Sequence, residues 1–221
     1  MAEKETLVYF DRTLDPRANL KREEELFQRV ERGELPDVVR FWIDSECLVR
    51  GKARSAKYGW YRESLAKRMG IEVVERTTGG GVVYHDEGNL NWSVFRRSPG
   101  AFVSPTKIFE QASACVVQAL ADLGVDARFS PPNRIDIKGR KVSGMAARTT
   151  PETILVHGTL LLNSDLAKLN RVCIPPAGCP PVSNLNEWVP GIEASRVVGA
   201  VFETLKNSGL DVRMSDADDL H

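Results

Sequence analysis

Apolar and polar positions follow two periods along the chain, and together they mark out most of its elements. Leu7-Val8-Tyr9-Phe10 is a short apolar run that predicts a first strand. Asp15-Pro16 then opens a helix, with Asp15 as N-cap and Pro16 at the first helical position. Leu20, Leu26, Phe27 and Val30 form its apolar side and Gly33 ends it, while the charged run Lys21 to Glu25 reads as a solvated face. Val38 to Ile43 and Cys47 to Val49 read as strands around Asp44-Ser45, the second closed by Gly51. A helix is expected from about Ser55 to Met69, with Gly70 as its cap. Ile71 to Val74 and Val82 to Tyr84 are apolar runs on either side of three glycines. From Asn89 to Phe95 the alternation is clean: Leu90, Trp92 and Val94 point one way, Asn89, Asn91 and Ser93 the other, as for a strand flooring a site. Ser104-Pro105 opens a helix whose buried stripe is Ile108, Ala112, Cys115, Val116, Ala119, Leu120 and Leu123, stopped by Gly124. Ile154 to Asn163 is a further strand, and a last helix runs from about Ser195 to Ser208 before a polar tail expected to fray.

Composition narrows the class. The 221 residues suit one domain with a sizeable core. Acidic and basic residues number 30 each, so no global basic field points to nucleic acid. No apolar run reaches membrane-spanning length, and the start Met1-Ala2-Glu3-Lys4-Glu5 lacks a signal-peptide profile, so a soluble cytoplasmic protein is expected. Four cysteines do not make a disulfide scaffold. Cys47 and Cys115 lie inside apolar patterns and read as core thiols. Cys173 and Cys179 read as loop cysteines, with a metal site or a disulfide as the alternatives.

Two stretches carry candidate chemistry. In Arg76-Thr77-Thr78-Gly79-Gly80-Gly81, glycine lets backbone N–H groups approach a ligand and reaches positive φ without strain. The loop is either a plain tight turn or a cradle for an anion or polarised carbonyl. It matches neither G-x-x-x-x-G-K-[ST] nor G-x-G-x-x-G. The second stretch is Asn133 to Gly144. Gly139-Arg140 suits a two-residue hairpin loop with glycine first, which sets Lys138 against Lys141, Ile137 against Val142 and Asp136 against Ser143. Arg134, Asp136, Lys138, Lys141 and Ser143 then share one side, either as an exposed charged hairpin or as a seat for a phosphate and a magnesium ion.

Residues 76–93 resemble the R-x-[ST]-G-G-G-x-V-[FY]-H-D-x-G-N-x-x-x-[ST] signature of the lipoate-protein ligase A family through Arg76, Thr78, Gly79 to Gly81, Val83, Tyr84, His85, Asp86, Gly88, Asn89 and Ser93. Where the family usually opens with two arginines, the first position here is Glu75. Asn133 to Gly144 is similar to its N-D-x-x-x-x-G-[RK]-K-[IV]-S-G, except that Arg134 stands at the aspartate. His157 to Asn163 resembles H-G-T-L-L-L-N, and Val182 to Leu185 the end of the family's adenylate loop. That loop is short and proline-rich here, so fewer cations are available to a nucleotide.

The resemblance spans roughly residues 5–208, leaving 209–221 as a tail. It implies an α+β fold of the biotin/lipoyl synthetase kind (class II synthetase-like): a mixed, largely antiparallel sheet flanked by helices. It implies ATP-dependent activation of lipoate or octanoate to an acyl-adenylate, then transfer to a lysine of a GcvH-like or dehydrogenase E2-type lipoyl carrier. Lys141 is the implied catalytic lysine. Trp42, Arg76, Thr78, Gly79, Gly80, Gly81, His85, His157 and Gly158 are the implied acyl site. From the residues themselves, Trp42 and His157 read equally as core positions. Val83, Tyr84, Asn89, Asn133, Asp136, Lys141, Ser143 and Ala146 are the implied adenylate site, with Asp136 as candidate Mg2+ ligand. Since many relatives continue into a C-terminal accessory domain and this chain ends at His221, a short form aided by a small separate subunit is expected. An ATP-independent octanoyl transferase is disfavoured because Phe129-Ser130-Pro131-Pro132 holds no thiol. A non-catalytic carrier-binding subunit is disfavoured by the presence of Lys141.

Overall fold

The computed structural model describes residues 5–52, 59–98 and 104–215. Eleven strands and five helices are described, with a 3₁₀ turn at Leu185–Glu187. In chain order they are β1 (Thr6–Asp11), α1 (Pro16–Glu31), β2 (Asp37–Trp42), β3 (Cys47–Arg50), α2 (Glu63–Arg68), β4 (Glu72–Glu75), β5 (Val82–His85) and β6 (Asn89–Arg97). There follow α3 (Pro105–Asp122), β7 (Ala127–Ser130), β8 (Arg134–Ile137), β9 (Arg140–Thr149), β10 (Thr153–Leu161), α4 (Leu166–Val172), α5 (Ala194–Asn207) and β11 (Val212–Ser215). The main sheet has eight strands in the order β11-β1-β2-β6-β10-β9-β8-β7, and a three-stranded sheet has the order β4-β3-β5. Parallel pairing is confined to β11-β1, β1-β2 and β3-β4. The fold is therefore α+β, with a mixed, largely antiparallel sheet.

Local signals set the helices. Asp15 caps α1 by accepting from the N–H groups of Arg17 and Ala18, and Ser104 caps α3 through Lys107 N–H. Helices α3 and α5 cover one face of the main sheet, where Val116, Leu120, Val197 and Val201 pack on Trp92, Ile135 and Val156. Helix α1 covers part of the other face with Leu26, Phe27 and Val30 against Val38, Phe95 and Leu155. The small sheet lies beside α1 on that face, where Leu20 packs against Cys47, Val49 and Val74.

Four expectations are corrected. The helix foreseen from Ser55 begins only at Glu63; residues 53–58 lie outside the described part, and Trp60 and Tyr61 are spent on contacts to the segment after α4. Helix α4, capped by Asp165, was not foreseen. The polar tail is not frayed throughout: Val212–Ser215 pair in parallel with Thr6–Tyr9. The hairpin register also differs. Lys138 and Gly139 both have positive φ (47° and 77°), so they form the turn, a type I′ geometry, and Ile137 faces Arg140. Val142 is then a one-residue bulge, which sets Asp136 opposite Lys141 and Ile135 opposite Ser143. Among the described residues no helix is long and apolar enough to cross a membrane.

Candidate functional site

A cavity of about 580 Å³ opens between the α1 face of the main sheet, the small sheet and the segment 173–182, a size that suits a small molecule. Strand register lays its floor. Arg40, Ser93, His157 and Ala146 stand side by side across β2, β6, β10 and β9. Asn91 and Thr159 form a second row, one step along, on the same face.

Buried polar groups tie this floor to the glycine loop. Glu23 of α1, 1% exposed, holds His157 Nδ1 at 3.0 Å and accepts from Ser93 Oγ at 2.5 Å. His157 Nε2 meets Thr78 Oγ1 at 2.8 Å, and Arg76 Nε donates to the same oxygen at 2.9 Å. Burial alone would raise the Glu23 carboxyl; His157, by charge and hydrogen bond, and the Ser93 hydroxyl more than offset it and hold it below the usual carboxylate range. The charged face read at Lys21 to Glu25 is corrected here. Glu23 lies four residues after Asn19 and four before Phe27, all three buried, so it belongs to the inward stripe of α1.

Arg76 lines the cavity, and most of its donors brace the loop. The residue is 5% exposed, and its guanidinium spends donors on Thr78, Gly79 O, Gly81 O and Val49 O. Burial pushes it down to about 10, Glu23 opposing. It pins the loop into shape. Gly80 has φ +91° and Gly81 leaves no room for a side chain, because a Cβ there would stand 2.0 Å from the Trp60 ring. Gly80 and Gly81 line the cavity, as does Trp60, whereas Thr78 and Gly79 hold the loop from behind.

A second buried cluster centres on Asp44. Its carboxylate accepts from Asn19 Nδ2 (2.8 Å), Trp42 Nε1 (3.2 Å) and Asn91 Nδ2 (3.2 Å), and pairs with His85 Nδ1 (2.8 Å). His85 Nε2 is buried with no hydrogen-bond partner. Trp42 and His85 line the cavity. Asp44, Cys47 and His85 bring ligand atoms within 4.8 Å of one another, the one such group among the described residues. Asp44 is already engaged by four side chains, so the cluster is a hydrogen-bond network around Asp44 that leaves His85 Nε2 open.

At the β8–β9 end, Lys141, Asn133, Ala146, Arg134 and Gly144 line the cavity. Lys141 folds across Gly144: a Cβ there would lie 2.7 Å from its Nζ. Burial lowers the Lys141 ammonium from the ordinary lysine range and Arg134 adds to this, with Cys179 and Asp136 opposing. Three expected adenylate residues lie elsewhere. The Val142 bulge turns Ser143 to the core face opposite Ile135, with its Oγ unpartnered. Asn89 is fully buried and donates to Asn91, which takes the wall position. Asp136 does not line the cavity, and its carboxylate is taken by Arg134 Nε at 3.0 and 3.2 Å. Off the cavity wall and paired with Arg134, this carboxylate does not fit a magnesium ion, contrary to the sequence expectation. Val83, Tyr84 and Gly158 do line the wall; Tyr84 donates to Glu46 at 2.6 Å, and Gly158 makes room for the Trp92 ring.

Cys173 to Val182 roofs the cavity. One end is held by Ile174 N–H to Trp60 O and the Tyr61–Cys173 bridge, the other by Lys141 N–H to Pro181 O and Ser183 N–H to Lys141 O. Cys173 and Cys179 are free thiols in this wall, not a disulfide. Burial pushes Cys173 up to about 11, Lys141 and Arg62 opposing. Their place beside Lys141 had no signal in the sequence, and neither did Trp60.

Comparison with known proteins gives these features a context. The profile of the Lipoyl protein ligase A/B catalytic domain matches residues 15–206. The Bacillus subtilis lipoate-protein ligase LplJ is 36% identical over 152 residues, which is 69% of this chain and 44% of that protein. The chain thus spans about half the length of curated relatives such as this one. A bi-partite lipoate protein ligase from Thermoplasma acidophilum, described with its E2 lipoyl domain, superposes with TM-score 0.85 at 26% identity over 98% of this chain and 90% of that one. A lipoate-protein ligase A bound with ATP superposes with TM-score 0.83 at 25% identity over 99% and 92%.

Proposed function

The chain belongs to the lipoyl protein ligase A/B catalytic-domain family, and from that premise we propose that it joins lipoate or octanoate to a lysine of a lipoyl carrier protein through an acyl-adenylate. In the first step a carboxylate oxygen attacks the α-phosphorus of ATP, an O–P bond forms and pyrophosphate leaves. In the second the neutral ε-amine of the carrier lysine attacks the acyl carbon. A C–N bond forms, AMP leaves with the electron pair of the C–O bond, and the amine proton passes to solvent.

One observation carries the reading. Lys141 sets an ammonium in the wall of the cavity that the glycine loop also lines, and among the described residues no carboxylate lies within ion-pair distance of it. Such a cation is placed for the charge that develops on the carboxyl and phosphoryl oxygens in both steps. The acyl chain takes the space among Leu20, Trp42, Val49 and the glycine loop; the adenylate takes the Lys141 and Asn133 end.

Likeness to a ligase described as bi-partite supports a second, small polypeptide that assists adenylation. The carrier is of the lipoyl-domain kind, as an E2 lipoyl domain accompanies that neighbour. The test is to weigh a carrier domain after incubation with the chain, ATP and lipoate. A second reading, thiol-dependent acyl transfer without ATP, is favoured by the two thiols beside Lys141. Burial works against it at Cys173 by holding the thiol protonated. It predicts a thioester on the chain itself when an acyl donor is supplied without ATP, which the mass of the chain reads out.

A further inference from the structure

Two cations share one end of the cavity with a single carboxylate between them. Gly144 is the cross-strand partner of Arg134, and the Lys141 side chain lies across Gly144. Lys141 is itself the cross-strand partner of Asp136. The bulge at Val142 brings these three charged residues onto one face, since without it Lys141 and Gly144 would point to opposite sides. The Asp136 carboxylate accepts from Arg134 Nε, and Ser130 Oγ accepts from Arg134 Nη2 at 3.1 Å. One edge of the guanidinium is thereby anchored. Its Nη1 donates to no described residue, and Arg134 lines the cavity. Gathering two like charges in a partly desolvated wall is costly unless an anion completes the set. A planar guanidinium fixed on one edge presents its free N–H groups in the geometry that phosphate oxygens accept.

We propose that Arg134 is a phosphate-binding residue of this site, its open edge and the Lys141 ammonium together cradling the phosphoryl group of the acyl-adenylate, so that the adenylate is held without a divalent cation. The proposal rests on the adenylate reading above. The carboxylate that could have held a metal, Asp136, is used here to lock Arg134 in place.

The experiment is titration calorimetry with two probes: lipoate, and a non-hydrolysable phosphonate analogue of lipoyl-adenylate, each in EDTA and with magnesium. The wild-type chain should bind the analogue equally well in both. Arg134→Gln and Arg134→Ala should weaken the analogue by about 10- to 100-fold, with lipoate affinity held within about twofold, and Arg134→Lys should recover part of the loss. Lipoate binding doubles as the control for folding, and Arg134→Gln keeps the volume should the alanine variant not fold. Unchanged analogue affinity in Arg134→Gln, or a wild-type requirement for magnesium, would overturn the Arg134 assignment alone. A wild-type chain that binds neither probe would overturn the ligase reading and this proposal with it.

Discussion

At the scale of single residues, a charge buried for a reason is separated from one that merely lies at the surface. Lys141 could be picked from the sequence because Gly-Arg-Lys stands in a recognisable stretch. Glu23 could not, because the other four residues in its run of five charges are exposed or partly exposed. The signal that identifies it is the helical period shared with Asn19 and Phe27. Two consequences are measurable. Lys141→Ala should lower adenylate formation by about 10²–10³ with lipoate binding retained, the scale of losing one preorganised donor; single-turnover release of pyrophosphate measures it. Glu23 has a folded pKa below its ordinary 4.5. Its stabilisation is therefore complete above pH 4.5 and fades as pH falls through the lower folded value. Glu23→Gln should cost about 1–3 kcal/mol near neutrality, because His157 Nδ1 loses its charged partner. It should also flatten the acid limb of stability against pH, which denaturant titrations at several pH values would reveal.

Elements with local rules were legible; elements whose geometry depends on a distant partner were not. Caps at Asp15 and Ser104 and the alternation in β6 obey chain-local chemistry and stand where the sequence puts them. The β8–β9 hairpin departs because Lys138, a residue with no special preference for positive φ, occupies the left-handed region, and the turn moves by one position. The glycine loop could be seen as a loop, but not why its third glycine is required, since Trp60 arrives from 21 positions earlier in the sequence. Gly81→Ala should displace the Trp60 ring. That would weaken lipoate binding and alter tryptophan fluorescence while the far-ultraviolet circular dichroism stays close to wild type. Strand β11 offers a check on the sheet edge. Truncation after Gly209 removes the strand that pairs with β1 and exposes that edge. The thermal midpoint should fall by several degrees, on the scale of about 1–2 kcal/mol for a chain this size; an unchanged midpoint would mean β11 adds nothing.

For the molecule as a whole, the arrangement is a sheet floor, a pinned glycine loop and a proline-rich roof around one cavity with two unlike ends. Trp42, Leu20 and His157 line one part of it, with Glu23 and Thr78 holding His157 from behind; Arg134 and Lys141 line another. Family membership and overall fold were within reach of the motifs, because those motifs fall on the loop and hairpin that make the cavity wall. The roof was marked as a loop over the site by its match at Val182 to Leu185, but its anchoring was not legible: no pattern in residues 173–182 encodes the hydrogen bonds to Trp60 and Lys141. The central claim is that these two ends activate and transfer an acyl group. Its most direct test is the intact mass of a purified lipoyl carrier domain, incubated with this chain in one arm with lipoate and ATP and in the other with preformed lipoyl-adenylate. The account predicts one lipoyl group on the carrier lysine in the adenylate arm, lost in Lys141→Ala, and the same product with lipoate only when ATP is present. A carrier left unmodified in both arms by a folded, lipoate-binding chain would contradict it.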